Sequence, residues 1–245
     1  MKIIKIGDAR KEPAVFLHGY GAHPDLYHAF VDRLAREYYV YIPEIFGLNG
    51  VCRRDFDQNL ALLAKFIHAH NLTESTVIGH SYGALAAMHL ASEFPRLKRA
   101  IAVNPLLPEL FNGNKLRLQL ANLQRDLKYA TGELFGMLAN PHVGINYGLN
   151  VLSDPLGYVA GAVKAVLSEL PQKRSEVPVE ILYADLDTLF HIEDADLGKW
   201  RKVLPQLKFR PFPDYSHNWL IYHGAYAYEV MSLSPGLSPS RKGSG

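Results

Sequence analysis

One pentapeptide constrains this chain more than any other stretch: Gly79-His80-Ser81-Tyr82-Gly83. It follows Ser75-Thr76-Val77-Ile78, a β-branched run that reads as a buried strand. It precedes Ala84 to Ala91, good helix formers except for His89. A serine between a buried strand and a helix sits on a sharp turn. The flanking glycines keep that turn small enough to pack. The turn lifts the Ser81 hydroxyl out of the sheet and aims the backbone N–H of Tyr82 at the space beside it.

At 245 residues the chain accommodates one domain with a large core and an inserted segment. Hydrophobic residues make up 48% and charged residues 20%, a globular composition. The formal net charge of +2 is too balanced to point to nucleic acid or an anionic membrane surface. The single cysteine, Cys52, permits no internal disulfide and suits a reducing compartment. No apolar run approaches the roughly 20 residues of a membrane span, and the first six residues are too short for a signal segment. A cytoplasmic location is therefore expected.

Strand and helix patterns alternate along most of the chain. Residues 2–6 alternate polar and apolar, as an edge strand does, and Ala14-Val15-Phe16-Leu17 reads as a strand buried on both faces. Helical spacing is predicted over 25–37 and 56–70, with a strand at 38–42 between them. Further strands are expected at 100–103, 179–183 and 208–212. Helices are expected near 194–203 and across 218–231. Such alternation predicts an α/β fold, a mainly parallel sheet with helices on both faces. Sites in these sheets gather at the carboxyl ends of the strands.

Between residues 106 and 176 the β period disappears. Helical patterns at 115–129 and 155–170 are separated by turns rich in Asn, Gly and Pro. The expected organisation is thus a core at 1–105, a helical cap at 106–176, a second core part at 177–232 and a flexible tail at 233–245. The tail is rich in Ser, Pro and Gly. Leu116, Leu120, Leu134, Phe135, Met137 and Tyr158 either line an apolar pocket or form the cap's own packing face.

The glycine-flanked serine in its strand–turn–helix setting resembles the nucleophile elbow of the α/β-hydrolase family. His18-Gly19-Tyr20-Gly21, directly after a buried strand, is similar to that family's oxyanion turn. The resemblance implies two oxyanion donors, the backbone N–H groups of Tyr20 and Tyr82. His18 is read as a core histidine that positions the loop. The family order is serine, acid, histidine, and the chain follows it. Ala184-Asp185-Leu186-Asp187 matches the acid loop with Asp187 as the acid and Asp185 as the alternative. His217, after the last strand and before the last helix, matches the base, and His191 is a weaker alternative. His80 is expected to pack behind the serine. One departure is Glu44, where many relatives carry an aspartate after the proline.

The resemblance implies a serine hydrolase with the catalytic set Ser81, Asp187 and His217, acting on a small ester-type substrate with an apolar acyl or alcohol part. No cofactor and no metal is expected, because the histidines and the lone cysteine show no zinc-type spacing. Carbon–carbon bond or thioester hydrolysis would use the same triad. From another class, a small-molecule receptor retaining the fold fits the same residues. The family's epoxide hydrolases and dehalogenases use an elbow aspartate, which Ser81 excludes here. Oligomeric state is not readable from the sequence.

Overall fold

The computed structural model describes residues 1–44, 55–107, 168–185, 187, 192, 197–212 and 215–231, with isolated positions at 141, 142, 145, 152, 156 and 164. The cap helix expected at 115–129, most of the one expected at 155–170, the six apolar cap residues, His191 and the 233–245 tail lie outside the described residues.

Among the described residues seven strands form one sheet: β1 (Ile3–Ile6), β2 (Pro13–Leu17), β3 (Tyr39–Pro43), β4 (Thr76–His80), β5 (Arg99–Val103), β6 (Val179–Ala184) and β7 (Leu207–Phe212). Their order is β1-β3-β2-β4-β5-β6-β7. Only β1 runs antiparallel, against β3; the remaining pairs are parallel. β7 lies at an edge, which explains why it tolerates Pro211 within the strand.

Alternation along the strands builds two cores. Val15, Leu17, Val77, Ala100, Ala102, Ile181 and Tyr183 face α2 (Phe56–Ala69), α3 (Tyr82–Glu93) and α4 (Gly198–Val203). Ala14, Phe16, Ile78, Ile101, Val103 and Leu182 face α1 (His28–Leu34), α5 (Trp219–Tyr222) and α6 (Gly224–Met231). Helices therefore cover both faces. α3 is buried from Tyr82 to Ser92, which accounts for its being apolar almost all round.

Three expectations from periodicity change in detail. The 25–37 helix is a 3-10 turn at Pro24–Tyr27 followed by α1, and it ends in tight i→i+3 bonds at Arg36 and Glu37. The 218–231 helix is divided at His223 into α5 and α6. Gly224 lies against α1 so closely that a Cβ there would stand 2.7 Å from the Phe30 nitrogen. Residues 168–170 are not helical; Pro171 follows them and biases Leu170 away from helix.

The parallel strands β2 to β7 share one direction. The residues just past them, Gly19, Ser81, Asn104, Asp187 and His217, consequently meet along one edge of the sheet.

Candidate active site

Ser81 follows β4 directly and has φ 55° and ψ −115°, a sparsely populated conformation for a residue with a side chain. The neighbouring glycines make the turn possible. A Cβ at Gly79 would overlap the Gly83 carbonyl, and one at Gly83 would overlap the Leu17 carbonyl. The elbow thus closes on itself and docks onto the end of β2. Its backbone is pinned by a bond from Ser81 N–H to the Val103 carbonyl at 2.9 Å and by one from Leu106 N–H to the Ser81 carbonyl at 3.3 Å.

His217 Nε2 lies 3.0 Å from Ser81 Oγ, and His217 Nδ1 lies 2.6 Å from Asp187 Oδ2. A carboxylate only accepts, so Nδ1 carries the proton and Nε2 presents its lone pair to the serine hydroxyl. Asp187 is 3% exposed and His217 is 5% exposed. Such burial strengthens a charge-assisted bond between them.

The turn after β6 explains which carboxylate reaches His217. Asp185 N–H donates to the Phe212 carbonyl at 3.0 Å, tying the turn to the end of β7. Asp187 N–H donates to the Ala184 carbonyl at 3.0 Å, closing the turn on β6. That turn carries the Asp187 carboxylate to His217, while Asp185 remains half-buried outside the bond.

The Gly19–Tyr20 turn borders the serine. A Cβ at Gly19 would stand 3.6 Å from Ser81 Cβ and 3.1 Å from the Tyr27 hydroxyl. Gly19 N–H donates to that hydroxyl at 3.0 Å. The rings of Tyr20 and Tyr82 lie 5.2 Å apart, and Asn59 Nδ2 donates to the Tyr82 hydroxyl at 3.1 Å. Both residues named as oxyanion donors therefore stand beside the elbow.

His18 is wholly buried, and its Nδ1 donates to the Gly19 carbonyl at 3.1 Å. Burial lowers its pKa to about 4. His80 is also wholly buried, and burial with the nearby His217 lowers its pKa to about 3. Glu44 is engaged at the surface, 2.9 Å from Lys2 Nζ and 3.9 Å from His23 Nε2.

Sequence reasoning did not single out Asn104 or Tyr27. Asn104 has φ 45°. Its Oδ1 accepts from Ala184 N–H at 2.8 Å, and its Nδ2 donates to the His217 carbonyl at 2.9 Å. One amide side chain thus joins the end of β6 to the loop that carries His217. An asparagine closing a buried strand before Pro105 was the available signal, since asparagine is among the few residues that enter the left-handed region readily.

A cavity of about 830 Å³ lies elsewhere, between α2, α3 and residues 168–173, and includes Phe56, Leu60, His89 and Ser168 in its lining. Ser81, Asp187 and His217 do not line it. Among the described residues no helix is long and apolar enough to cross a membrane.

Comparisons with known proteins agree with this architecture. A 111-residue stretch is 30% identical to the magnesium-chelatase 30 kDa subunit of Rhodobacter capsulatus, spanning 43% of this chain and 38% of that protein. Among solved structures, a marine microorganism esterase superposes with a TM-score of 0.67 at 15% identity, covering 94% of this chain and 97% of its own. A Bacillus megaterium epoxide hydrolase superposes with a TM-score of 0.66 at 17% identity, covering 94% and 95%. Naproxen esterase from Bacillus subtilis gives 0.61 at 17% identity, covering 94% and 85%. At these identities the likeness is one of fold. The sequence model of the alpha/beta hydrolase family matches residues 14–228, and with that match the chain belongs to this family.

Proposed function

We propose that this protein is a serine hydrolase that cleaves a small carboxylic ester-type substrate through an acyl-enzyme on Ser81. The observation that carries this reading is the run of contacts from Ser81 Oγ through His217 to Asp187, at 3.0 and 2.6 Å. A serine hydroxyl is a weak nucleophile unless a base takes its proton as it attacks. His217 Nε2 has the lone pair and the distance to do so. Ser81 Oγ then bonds to the substrate carbonyl carbon, and the carbonyl electrons move onto oxygen. The N–H groups of Tyr20 and Tyr82 stabilise that oxyanion, each contributing about 3 kcal/mol. Protonated His217 gives its proton to the leaving alcohol, and Asp187 balances the imidazolium charge meanwhile. Water, deprotonated by His217, then displaces the acyl group and restores the serine. The substrate is read as a small molecule with an apolar acyl or alcohol part, because the 106–176 segment is rich in aliphatic and aromatic residues.

Epoxide opening in this family rests on an elbow aspartate, so the likeness to an epoxide hydrolase does not extend to the nucleophile Ser81. The test is a series of p-nitrophenyl esters from acetate to decanoate, run beside Ser81→Ala, with a fluorophosphonate probe. The expected result is turnover that depends on Ser81, labelling at Ser81 alone, and kcat/KM that rises with acyl length and then falls. Activity retained in Ser81→Ala, or labelling at another residue, overturns the reading. A flat profile across the series removes the apolar acyl pocket from it.

A further inference from the structure

The elbow histidine takes part in a directed string of hydrogen bonds that the hydrolytic steps leave unused. His80 Nε2 lies 2.9 Å from the main-chain carbonyl oxygen of His217. His80 Nδ1 lies 2.8 Å from the Tyr27 hydroxyl, and that hydroxyl accepts from Gly19 N–H at 3.0 Å. The His80 ring is flanked by the Tyr27 ring at 5.6 Å and the His217 ring at 5.2 Å between centroids.

Proton accounting gives the string one solution. A carbonyl oxygen only accepts, so His80 Nε2 carries a hydrogen. A wholly buried neutral imidazole has just one, so Nδ1 is a lone pair and accepts the single Tyr27 hydroxyl hydrogen. The Tyr27 oxygen is then left to accept from Gly19 N–H. Every group is used, and no reversal of direction is open to it. The His217 carbonyl receives a second donor from Asn104 Nδ2 at 2.9 Å. Two donors on one carbonyl fix the plane of the peptide that follows His217, and through it the ring that stands 3.0 Å from Ser81 Oγ.

We propose that His80, oriented by the Tyr27 hydroxyl, is a positioning residue for the base His217, and that the same hydroxyl ties this positioning to the Gly19–Tyr20 turn. The inference rests on the catalytic reading of Ser81 and His217. One string thereby sets two distances together: base to nucleophile, and turn to nucleophile. If the Tyr27 hydroxyl is removed, His80 Nδ1 becomes a buried acceptor without a donor, and the ring keeps only its bond to the His217 carbonyl. Held at one end instead of two, the ring can tilt and carry the His217 loop with it.

Tyr27→Phe removes the hydroxyl and keeps the ring that packs 5.0 Å from Phe16. In folded Tyr27→Phe, kcat for a p-nitrophenyl ester should fall about 10- to 100-fold, as expected for a misplaced catalytic group. KM should stay within about twofold, because the change acts in the transition state. Fluorophosphonate labelling of Ser81 should slow by the same factor as kcat. His80→Gln, which keeps a donor, should retain more activity than His80→Leu. In the ¹⁵N-histidine spectrum of the wild-type protein, His80 should be the Nε2–H tautomer, and in Tyr27→Phe the proton of the His217–Asp187 bond should shift or broaden. Wild-type kcat in folded Tyr27→Phe, equal losses in the two His80 variants, or an Nδ1–H tautomer for His80 would overturn the proposal. A wild-type protein that neither turns over esters nor labels at Ser81 would refute the functional reading instead. In that case the His217–Asp187 proton still decides the positioning, since an unmoved signal in Tyr27→Phe overturns it.

Discussion

The side-chain amide of Asn104 meets the backbone carbonyl of His217 at 2.9 Å, across 113 positions of sequence. The same amide accepts from Ala184 N–H at 2.8 Å. Asn104 is wholly buried and left-handed, so it serves as a hub and not as a surface turn.

Replacing Asn104 separates its two contributions. Asn104→Ala loses both bonds, leaves Ala184 N–H buried without its partner, and puts at φ 45° a residue that enters the left-handed region less readily than asparagine. Urea unfolding should show a loss of about 3–5 kcal/mol. Asn104→Gly loses the bonds but accepts the backbone, so it should be about 1–2 kcal/mol less destabilised than the alanine variant. Equal losses in the two variants would show that the backbone angle contributes nothing.

The strained turn at Ser81 makes a prediction independent of any substrate. Ser81→Gly relieves φ 55°, ψ −115° and should raise stability by about 1–3 kcal/mol in the same assay. Ser81→Ala keeps the strain and should leave stability within about 0.5 kcal/mol of wild type. On esters, both variants should lose several orders of magnitude in kcat. A glycine variant no more stable than wild type would remove strain from the account of this turn.

The two acid-loop carboxylates should behave oppositely. Asp187→Asn leaves His217 without its charged acceptor and should lower kcat by about 10⁴-fold. Asp185→Asn keeps the Asp185 N–H bond to Phe212 and should cost far less. Steady-state kinetics on one ester decide between them. A larger loss in the Asp185 variant would assign the acid to that residue.

Most of the fold was legible because buried parallel strands read as apolar runs, unbroken from Ala14 to Leu17 and interrupted only by Glu180 from Val179 to Tyr183. The elbow was legible because both glycines are required at fixed offsets from the serine. What escaped detection was tertiary in origin. Asp187 and Asp185 are chemically alike, so the choice of Asp187 came from the family resemblance and not from the residues themselves; the turn bonded to Ala184 and Phe212 is what carries Asp187 to His217. The break at His223 reflects the approach of Gly224 to Phe30, a contact between opposite ends of the chain. Tyr27 gave no signal at all, since a tyrosine in a short 3-10 turn looks like ordinary core until its hydroxyl is placed.

Stability should fall in mild acid. His18, His80 and His89 are held neutral by burial, with pKa values lowered to about 4, about 3 and about 4. The unfolded chain therefore binds more protons than the folded one between those values and the ordinary histidine pKa near 6.5. Their contribution is fully present above about pH 6.5 and is lost as pH falls toward 4. Three protons give a slope of about 4 kcal/mol per pH unit at its steepest. His89 isolates one of them. It is 7% exposed, its ring lies between Phe56 and Trp200, and its Nε2 has no hydrogen-bond partner among the described residues. His89→Leu should raise Tm at pH 5 more than at pH 8 and should flatten the slope by about one proton. An unchanged slope would show that His89 takes no part in acid unfolding.

Strand order also has a consequence in time. β6 and β7 add to the sheet beyond β5, and His217 follows them, 136 positions after Ser81. A chain emerging from the ribosome displays the elbow long before the histidine that contacts its serine exists. Domains fold largely as their sequence becomes available. On the proposed catalytic reading, the hydroxyl stays chemically ordinary through most of synthesis and gains its reactivity in one step when the last strand docks.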